Sequence, residues 1–458
     1  MKPTIKQIAF FLILVLAMII SFIPHFSYQF PLHVDEWFHI GVAKEIATNN
    51  FAFPQQVFTL AEKISTQELL WHYILAVPVF LFQPSIFVWR FLPPFFAVLA
   101  VLSVYFFARR WGEKTALLAA FLVALLPSNV TIGGPVFLVP VNLSLIVIPL
   151  ALHFAFDTDL NTKKNFFALA GLSLFLLLAH PPSAVVLLLA LFFYSVLLFR
   201  ENRKKTFWIW SAVALALLFS AWNYLPTLAE KGTSALSFPF WYFLSEIPLV
   251  YGVIPTIAFV AGFYLFLRSG KKEELAILAI TVFLIADIVF FSNTGIGLIV
   301  PYQRAFIPLM LFMSLVGANA LAKIEPKHVL ILVLAAIFGL ALFSHLKTPY
   351  YHVIDYKDFE AFEWIKQNTP KGAVVLLDPW KARALTPVAE RRVFTVLPFG
   401  PKQKDLELNR QATEFLNNNC ADTGFLKANK ITVVYSKKEC QNQELVQARE
   451  NVYLLKTG

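Results

Sequence analysis

Long apolar segments separated by short polar ones run along the chain from residue 8 to residue 343. Most approach the roughly 20 residues that a helix needs to cross a bilayer, and we predict a transmembrane helix at each. The eleven predicted spans are 8–23, 86–108, 115–130, 136–156, 166–178, 183–199, 206–224, 247–267, 275–291, 302–321 and 329–343. Residues 69–82 are also apolar, but they are short and contain His72 and Pro78. We predict that they lie in or dip into the outer interface.

The distribution of positive charge predicts the orientation of these spans, because cytoplasmic loops are enriched in Lys and Arg. With residues 69–82 at the interface, sixteen basic residues fall on one side of the membrane part and five, including Lys44, Arg90 and Arg304, fall on the other. The N-terminus is therefore predicted to be cytoplasmic, and residues 8–23 to remain as the first helix, because no small-residue cleavage site follows them.

Composition supports the same class. Hydrophobic residues make up 58% of the 458 residues, 48 of them are Phe, and only 14% are charged. A water-soluble fold could not bury that apolar surface, so the chain is predicted to be a polytopic membrane protein in contact with membrane lipids. The net charge of +10 is explained by the basic residues on the predicted cytoplasmic side, which set the topology. No motif of basic and aromatic residues for binding nucleic acid is present.

After residue 343 the composition becomes that of a soluble domain. We predict one transmembrane bundle over residues 1–349 and a separate extracytoplasmic α/β domain over residues 350–458, because helical and strand-like patterns alternate there. The chain's two cysteines, Cys420 and Cys440, both lie in this second region. An extracytoplasmic compartment permits a disulfide between them, and free thiols are the alternative.

The longest predicted outer loop, residues 24–85, begins with an acidic cluster that contains Asp35, Glu36 and His39. The following residues predict an amphipathic helix on the membrane surface, with Trp37 and Ile40 on its apolar face. The two carboxylates would lie at its N-terminus, where they could simply cap the helix. They could equally form a catalytic centre, with His39 one helical turn from Asp35.

Further polar residues are predicted on the same side of the membrane. Arg304, within Tyr302-Gln303-Arg304, suits a phosphate group or could extend to lipid headgroups. His180 could support the site or be a hydrogen-bonded histidine at a helix end, and Arg90 is open to the same two interpretations. Glu246 lies in the loop before the eighth predicted span.

Taken together, the Asp-Glu pair after the first helix, the late outer arginine and the C-terminal domain resemble the GT-C superfamily of membrane glycosyltransferases. Three stretches resemble the catalytic subunit of oligosaccharyltransferase and its archaeal relatives: Ser245-Glu246, Tyr302-Gln303-Arg304-Ala305-Phe306, and the entry to the soluble domain at residues 364–377. The resemblance implies a GT-C-like bundle of about eleven spans with juxtamembrane helices, and a polyprenyl- or dolichyl-phosphate-linked sugar as donor.

The chain departs from that family at two places. Leu377-Asp378-Pro379-Trp380-Lys381 stands where the family carries Trp-Trp-Asp-Tyr-Gly, and residues 131–135 lack its second acidic motif. Transfer of an oligosaccharide to a sequon asparagine is therefore not expected. The Asp-Glu pair resembles more closely the protein O-mannosyltransferases and the lipid A aminoarabinose transferases, which need no metal.

These resemblances lead to a hypothesis for the mechanism. Asp35, with Glu36, is the candidate base that takes a proton from a protein, lipid or glycan acceptor, and Arg304, with Tyr302 and Arg90, would bind the donor phosphate. His39, His180 and Glu246 would support the site. If a divalent ion such as Mg or Mn is needed, Asp35 and Glu246 are its candidate ligands. A carrier or flippase for lipid-linked sugars, and a non-catalytic membrane scaffold, remain the alternatives.

Overall fold

The computed structural model describes residues 4–59, 62–83, 85–157, 163–224, 248–294, 300, 302–397 and 403–456. The chain forms two compact units. Unit 1 comprises Met1–Ser27, Gln67–Trp71 and Arg90–Tyr350, and unit 2 comprises Tyr28–Thr66, His72–Trp89 and Tyr351–Gly458. The loop segments 28–66 and 72–89 thus belong to the same unit as the C-terminal region.

Unit 1 is helical. Seven helices in the described part of the chain are long and apolar enough to cross a membrane, and the chain is a multi-pass membrane protein. The helices of unit 1 are α1 (Ile5–Phe22), α4 (Leu92–Ala108), α5 (Glu113–Ala124), α6 (Leu143–Phe156), α7 (Lys163–Ala179), α8 (Pro181–Leu198), α9 (Arg203–Tyr224), α10 (Val253–Ser269), α11 (Lys272–Thr294), α12 (Tyr302–Ala322) and α13 (Lys327–Lys347).

Helix α12 lies at the centre of unit 1, since 83% of its apolar window is buried, whereas only 11% of the window in α13 is buried. Helix α10 approaches α12 closely because of a glycine. A Cβ atom on Gly262 would lie 2.0 Å from the carbonyl oxygen of Val316. Small residues of this kind let two membrane helices bring their backbones together. Asp287 is fully buried in α11.

The predicted spans 115–130 and 136–156 are among those that are shorter as helices. Helix α5 ends at Ala124 and α6 begins at Leu143, with buried irregular backbone between them. This irregular segment contains the Gly133-Gly134-Pro135 turn. Gly134 has φ +123°, and a Cβ there would lie 2.4 Å from Ser128 Oγ. A helix cannot pass through that conformation. The buried Asn142 satisfies part of the irregular backbone by donating to the carbonyl oxygens of Gly134 and Phe137.

Unit 2 contains a five-stranded sheet with strand order β2-β1-β3-β5-β4. Strand β1 pairs in parallel with β2 and β3, and β5 pairs antiparallel with β3 and β4. This confirms the small α/β layer predicted for the C-terminal region. The elements of unit 2 are α2 (Val34–Thr48), most of α3 (Leu69–Phe82), α14 (Tyr356–Asn368), β1 (Val374–Leu376), α15 (Pro379–Ala389), β2 (Arg392–Val393), α16 (Gln403–Asn417), α17 (Thr423–Ala428), β3 (Val433–Tyr435), β4 (Leu445–Arg449) and β5 (Val452–Leu455).

Helix α2 is a core helix of unit 2. The amphipathic interpretation predicted one exposed polar face, but Glu36 and His39 are buried as well as the apolar Trp37 and Ile40. The reason is that α15 packs along α2, and the ammonium of Lys44 donates to the carbonyl oxygen of Pro387 at 2.7 Å. Protein therefore covers the face that the pattern assigned to solvent.

Cys420 and Cys440 form a disulfide, with Cα atoms 5.0 Å apart. Cys420 is fully buried in the apolar core of unit 2, beside Leu426 and Phe415. The bridge closes a loop that contains α17 and β3. It thereby joins the end of α16 to the segment that precedes β4.

Candidate active site

The acidic cluster begins helix α2, and its geometry separates the roles of the two carboxylates. His33 is the N-cap, with an extended backbone and a ring Nδ1 that accepts from the amide of Asp35 at 3.1 Å. Glu36 completes a capping box: its Oε2 accepts from the amides of Leu32 at 2.6 Å and His33 at 2.9 Å. Glu36 therefore satisfies backbone donors that the helix start would otherwise leave unpaired.

Asp35 is left with a carboxylate that the capping box does not use. Its Oδ2 lies 3.7 Å from His33 Nδ1, and 14% of its side chain is exposed. The position in the first turn favours negative charge, because the unpaired amides of a helix N-terminus carry partial positive charge. The side chain thus lies at a helix N-terminus, outside the capping box, and keeps a small exposed fraction.

A buried arginine supports this end of α2. Arg383 on α15 is 1% exposed, and its Nη2 donates to Glu62 Oε1 at 2.8 Å. Its guanidinium lies 5.2 Å from the centre of the Phe38 ring and 5.1 Å from that of Phe58. Burial lowers the pKa of Arg383, while the negative charges of Glu62 and Asp35 act to raise it. Asp35 is therefore within electrostatic reach of this guanidinium.

Two imidazoles meet on the buried side of α2. Nδ1 of His39 lies 3.1 Å from Nε2 of His72, and both rings are nearly inaccessible to solvent. One ring can donate a hydrogen bond to the other. Two neutral imidazoles are also the nitrogen ligands that zinc and similar ions prefer, whereas Mg²⁺ prefers oxygen. Among the described residues of unit 2, His39 and His72 are thus the pair best suited to hold a transition metal.

Arg304, His180 and Glu68 form a second polar group within unit 1. His180 is fully buried and N-caps α8, with Nδ1 accepting from the amide of Ser183 at 3.3 Å. Its Nε2 lies 3.9 Å from Glu68 Oε1. Burial holds the pKa of His180 well below its ordinary value, and the charge of Arg304 lowers it further. His180 is therefore a neutral histidine beside a cation and a carboxylate.

The remaining predicted site residues have different surroundings. Arg90 lies against aromatic rings, with its guanidinium 5.8 Å from the centre of Phe22 and 5.1 Å from that of Phe91. Tyr302 starts α12 two residues before Arg304. Glu246 lies outside the described residues. The structure thus groups Asp35 and His39 in unit 2, and Arg304 and His180 in unit 1.

Several contacts were not foreseen from the sequence. Arg383 and Glu62 are 321 residues apart, and His39 and His72 are 33 apart, so no local periodicity could pair them. For Glu68, the sequence offered one weak indication of a role near His72, because Glu68 precedes His72 by one helical turn. For Arg383, the signal was a lone arginine in the otherwise apolar segment 382–389. A charge there has to be paired if it is buried.

No protein-family model and no curated protein matches this chain. Solved structures do match it. The oligosaccharyltransferase of Archaeoglobus fulgidus in the apo form aligns with a TM-score of 0.65 and 14% identity, over 93% of this chain and 69% of that chain. ArnT from Cupriavidus metallidurans in the apo state aligns with a TM-score of 0.67 and 13% identity, over 97% of both chains.

Both proteins have also been solved with ligands. The archaeal enzyme, AglB, has a structure with an inhibitory peptide and a dolichol-phosphate, which aligns with a TM-score of 0.63 and 14% identity over 93% of this chain and 69% of that one. Another was solved with zinc and sulfate. ArnT bound to undecaprenyl phosphate aligns with a TM-score of 0.65 and 12% identity over 97% of both chains. These likenesses establish the fold, and they confirm the fold class that the sequence resemblance implied.

Proposed function

We propose that this chain, which has the fold of the GT-C membrane glycosyltransferases, transfers a sugar from a polyprenyl-phosphate or polyprenyl-diphosphate donor to an acceptor on the extracytoplasmic side. The fold supports the class, since both similar proteins have been solved with a polyprenyl phosphate. Within this chain, the proposal rests on the different surroundings of the two carboxylates at the start of α2. Glu36 is engaged by backbone amides, whereas the carboxylate of Asp35 lies outside the capping box and keeps 14% of its side chain exposed.

In the proposed reaction Asp35 is the general base. It accepts the proton of the acceptor hydroxyl as the acceptor oxygen bonds to the anomeric carbon. The bond from that carbon to the phosphate oxygen breaks, and the lipid phosphate leaves with the electron pair. Because the displacement is direct, the anomeric configuration inverts. Arg304 binds the departing phosphate, for which a guanidinium fork offers two parallel donors.

A neutral His180 suits this role for Arg304. Were the imidazole protonated, it would compete with Arg304 for the phosphate and would repel the guanidinium. Burial keeps its pKa low, so Arg304 remains the principal cation of this polar group in unit 1. Arg90 and Tyr302 are proposed as secondary contacts to the donor, and Glu246 as a support for the acceptor.

Whether the site holds a divalent ion is independent of the roles proposed for Asp35 and Arg304. His39 and His72 could supply two nitrogen ligands, a donor set that fits a zinc-type ion better than Mg²⁺. Such an ion would lend positive charge to the site. The acid–base step proposed for Asp35 and the phosphate contact of Arg304 do not pass through it.

The test uses the purified full chain in lipid nanodiscs with radiolabelled polyprenyl-phosphate sugars. Release of free polyprenyl phosphate, dependent on the protein, supports transferase activity. We expect Asp35→Asn to lower that release at least a hundredfold, the usual contribution of a positioned base. We expect Arg304→Gln to weaken donor binding. Glu444→Gln, which alters an exposed carboxylate, is the matched control and should retain activity.

Two outcomes would count against the proposal in different ways. Full activity in Asp35→Asn would remove Asp35 from the mechanism while leaving the transferase class intact. Movement of intact donor across the bilayer, with no polyprenyl phosphate released, would instead indicate a carrier. Repeating the assay after chelation, and then after addition of Zn²⁺, Mn²⁺ or Mg²⁺, tests the metal separately.

A further inference from the structure

Unit 2 contains a large cavity whose lining comes from both of its sequence regions. The cavity has a volume of about 1130 Å³. Part of its wall is formed by the C-terminal half of α2 and the end of α3, and the rest by residues of α14, α15 and the sheet. Ligand pockets are usually about 300–1,000 Å³, so this space is larger than a single small ion requires.

The charge of the lining is strongly positive. Six basic side chains and three acidic ones face the cavity, which leaves a net charge of +3 (6 − 3). The basic residues are Lys44, Lys366, Lys371, Arg391, Arg392 and Lys430. A concave surface with an excess of one sign of charge concentrates counter-ions, because its low-dielectric walls focus the field.

Part of this charge is already committed within the protein. Lys366 pairs with Glu390 at 2.6 Å, and the charge of Arg392 acts on the exposed Glu45. The guanidinium of Arg391 donates to Thr369 Oγ1 and to four backbone carbonyl oxygens, which fix its position, and the charge of the adjacent Glu390 acts on it.

Lys44 shows that cations crowd one another here. Its described hydrogen bond goes to the carbonyl oxygen of Pro387, which is neutral. Burial lowers the pKa of Lys44 and the neighbouring charge of Lys366 lowers it further, while the negative charges of Glu390 and Glu363 act to raise it. A bound anion would act in the same direction as these carboxylates, and it would replace lost solvation.

Three exposed cations complete the arrangement. Lys371, Arg392 and Lys430 stand at the amino ends of β1, β2 and β3, and these three strands are neighbours and parallel. Their side chains therefore enter the cavity from the same edge of the sheet. These exposed side chains can approach a ligand after it enters. The part-buried Lys44 is held by the carbonyl oxygen of Pro387, and Arg391, whose N–H donors are all used by the protein, contributes only its charge.

We infer that this cavity binds a phosphate ester. A phosphate monoester or diester is an anion and is attracted to a lining of net charge +3, and lysine and arginine are the side chains that bind it. The volume leaves room for the group that carries the phosphate. That group could be the headgroup of a membrane lipid or a soluble sugar phosphate. The site belongs to unit 2 alone, and the inference holds whether or not the chain transfers a sugar.

The soluble arm of the experiment compares two ligands that differ only in phosphate. Titration of the purified full chain with glucose 6-phosphate should give saturable binding that weakens as salt rises, whereas glucose should not bind. The lipid arm, read by native mass spectrometry, compares nanodiscs of phosphatidylglycerol and of phosphatidylcholine, which share the phosphodiester and differ in net charge. Lipid retained from phosphatidylglycerol discs and not from phosphatidylcholine discs identifies a lipid source. Binding of glucose 6-phosphate without lipid retention identifies a soluble one.

Charge-matched variants test the location. The triple variant Lys371→Gln, Arg392→Gln, Lys430→Gln removes three exposed cations of the cavity and should weaken binding at least tenfold. The control Lys357→Gln, Lys427→Gln, Lys456→Gln removes three exposed cations of unit 2 that do not line the cavity. It should leave binding within twofold. Equal losses in the two variants, or absence of phosphate-dependent binding in both arms, would overturn the inference.

Discussion

Replacement of Arg383 by Met tests whether the buried ion pair holds α2 in place. The substitution keeps the length and apolar stem of the side chain but removes the guanidinium that donates to Glu62 and Leu397. Removing one partner of a buried pair usually costs about 3–5 kcal/mol. Because the Glu62 side chain is 21% exposed, water can solvate it after the change, so we place the cost at the lower end, about 3 kcal/mol.

Hydrogen–deuterium exchange of the peptides that cover residues 34–48 measures this cost locally. A tenfold change in an equilibrium corresponds to about 1.4 kcal/mol, so a loss of about 3 kcal/mol should speed exchange in α2 by about a hundredfold. The matched control is Arg449→Met. Arg449 pairs with Glu360 at 3.1 Å, but its side chain is 35% exposed, and exposed pairs contribute about 0–1 kcal/mol.

Exchange in α2 that rises less than tenfold in Arg383→Met would refute the assigned role of the ion pair. Equal changes in the Arg449→Met control would refute it as well, since they would indicate a general loss of stability in unit 2. If the role is correct, Arg383 is a positioning residue for the Asp35 end of α2. Sugar transfer should then fall through kcat, with little change in the KM for the donor.

Three further outcomes are expected. Gly262→Ala should lower thermal stability by about 1–3 kcal/mol, since its Cβ would overlap the carbonyl of Val316, whereas Gly339→Ala, with open space around it, should not. Cys440→Ser should destabilise unit 2 by about 3 kcal/mol and make its unfolding insensitive to reductant. Asp358→Asn should lower the melting temperature of unit 2, because its carboxylate, only 1% exposed, accepts from a lysine and a tyrosine. Thermal unfolding of each purified variant measures all three.

The membrane class and the candidate base could be read from residue patterns, because both depend on local sequence. The spans follow from runs of apolar residues, and the start of α2 follows from the acidic residues after Pro31. The boundaries near residues 124 and 143 could not be read in this way. The interruption there depends on the positive φ of Gly134 and the contact with Ser128, and neither changes the hydrophobic pattern.

The sequence by itself determined that the chain crosses a membrane repeatedly, because burying so much apolar surface in water is impossible for a chain of this composition. It also determined that Asp35 and Glu36 begin a helix. The capping box of Glu36 is also local, because the amides it accepts from are three and four residues away. Only the tertiary structure decided that Glu36 and His39 are buried, because α15, which packs along α2, comes from a distant part of the chain. Such contacts form because packing and charge neutralisation favour them in the folded state, so they cannot be predicted from local periodicity.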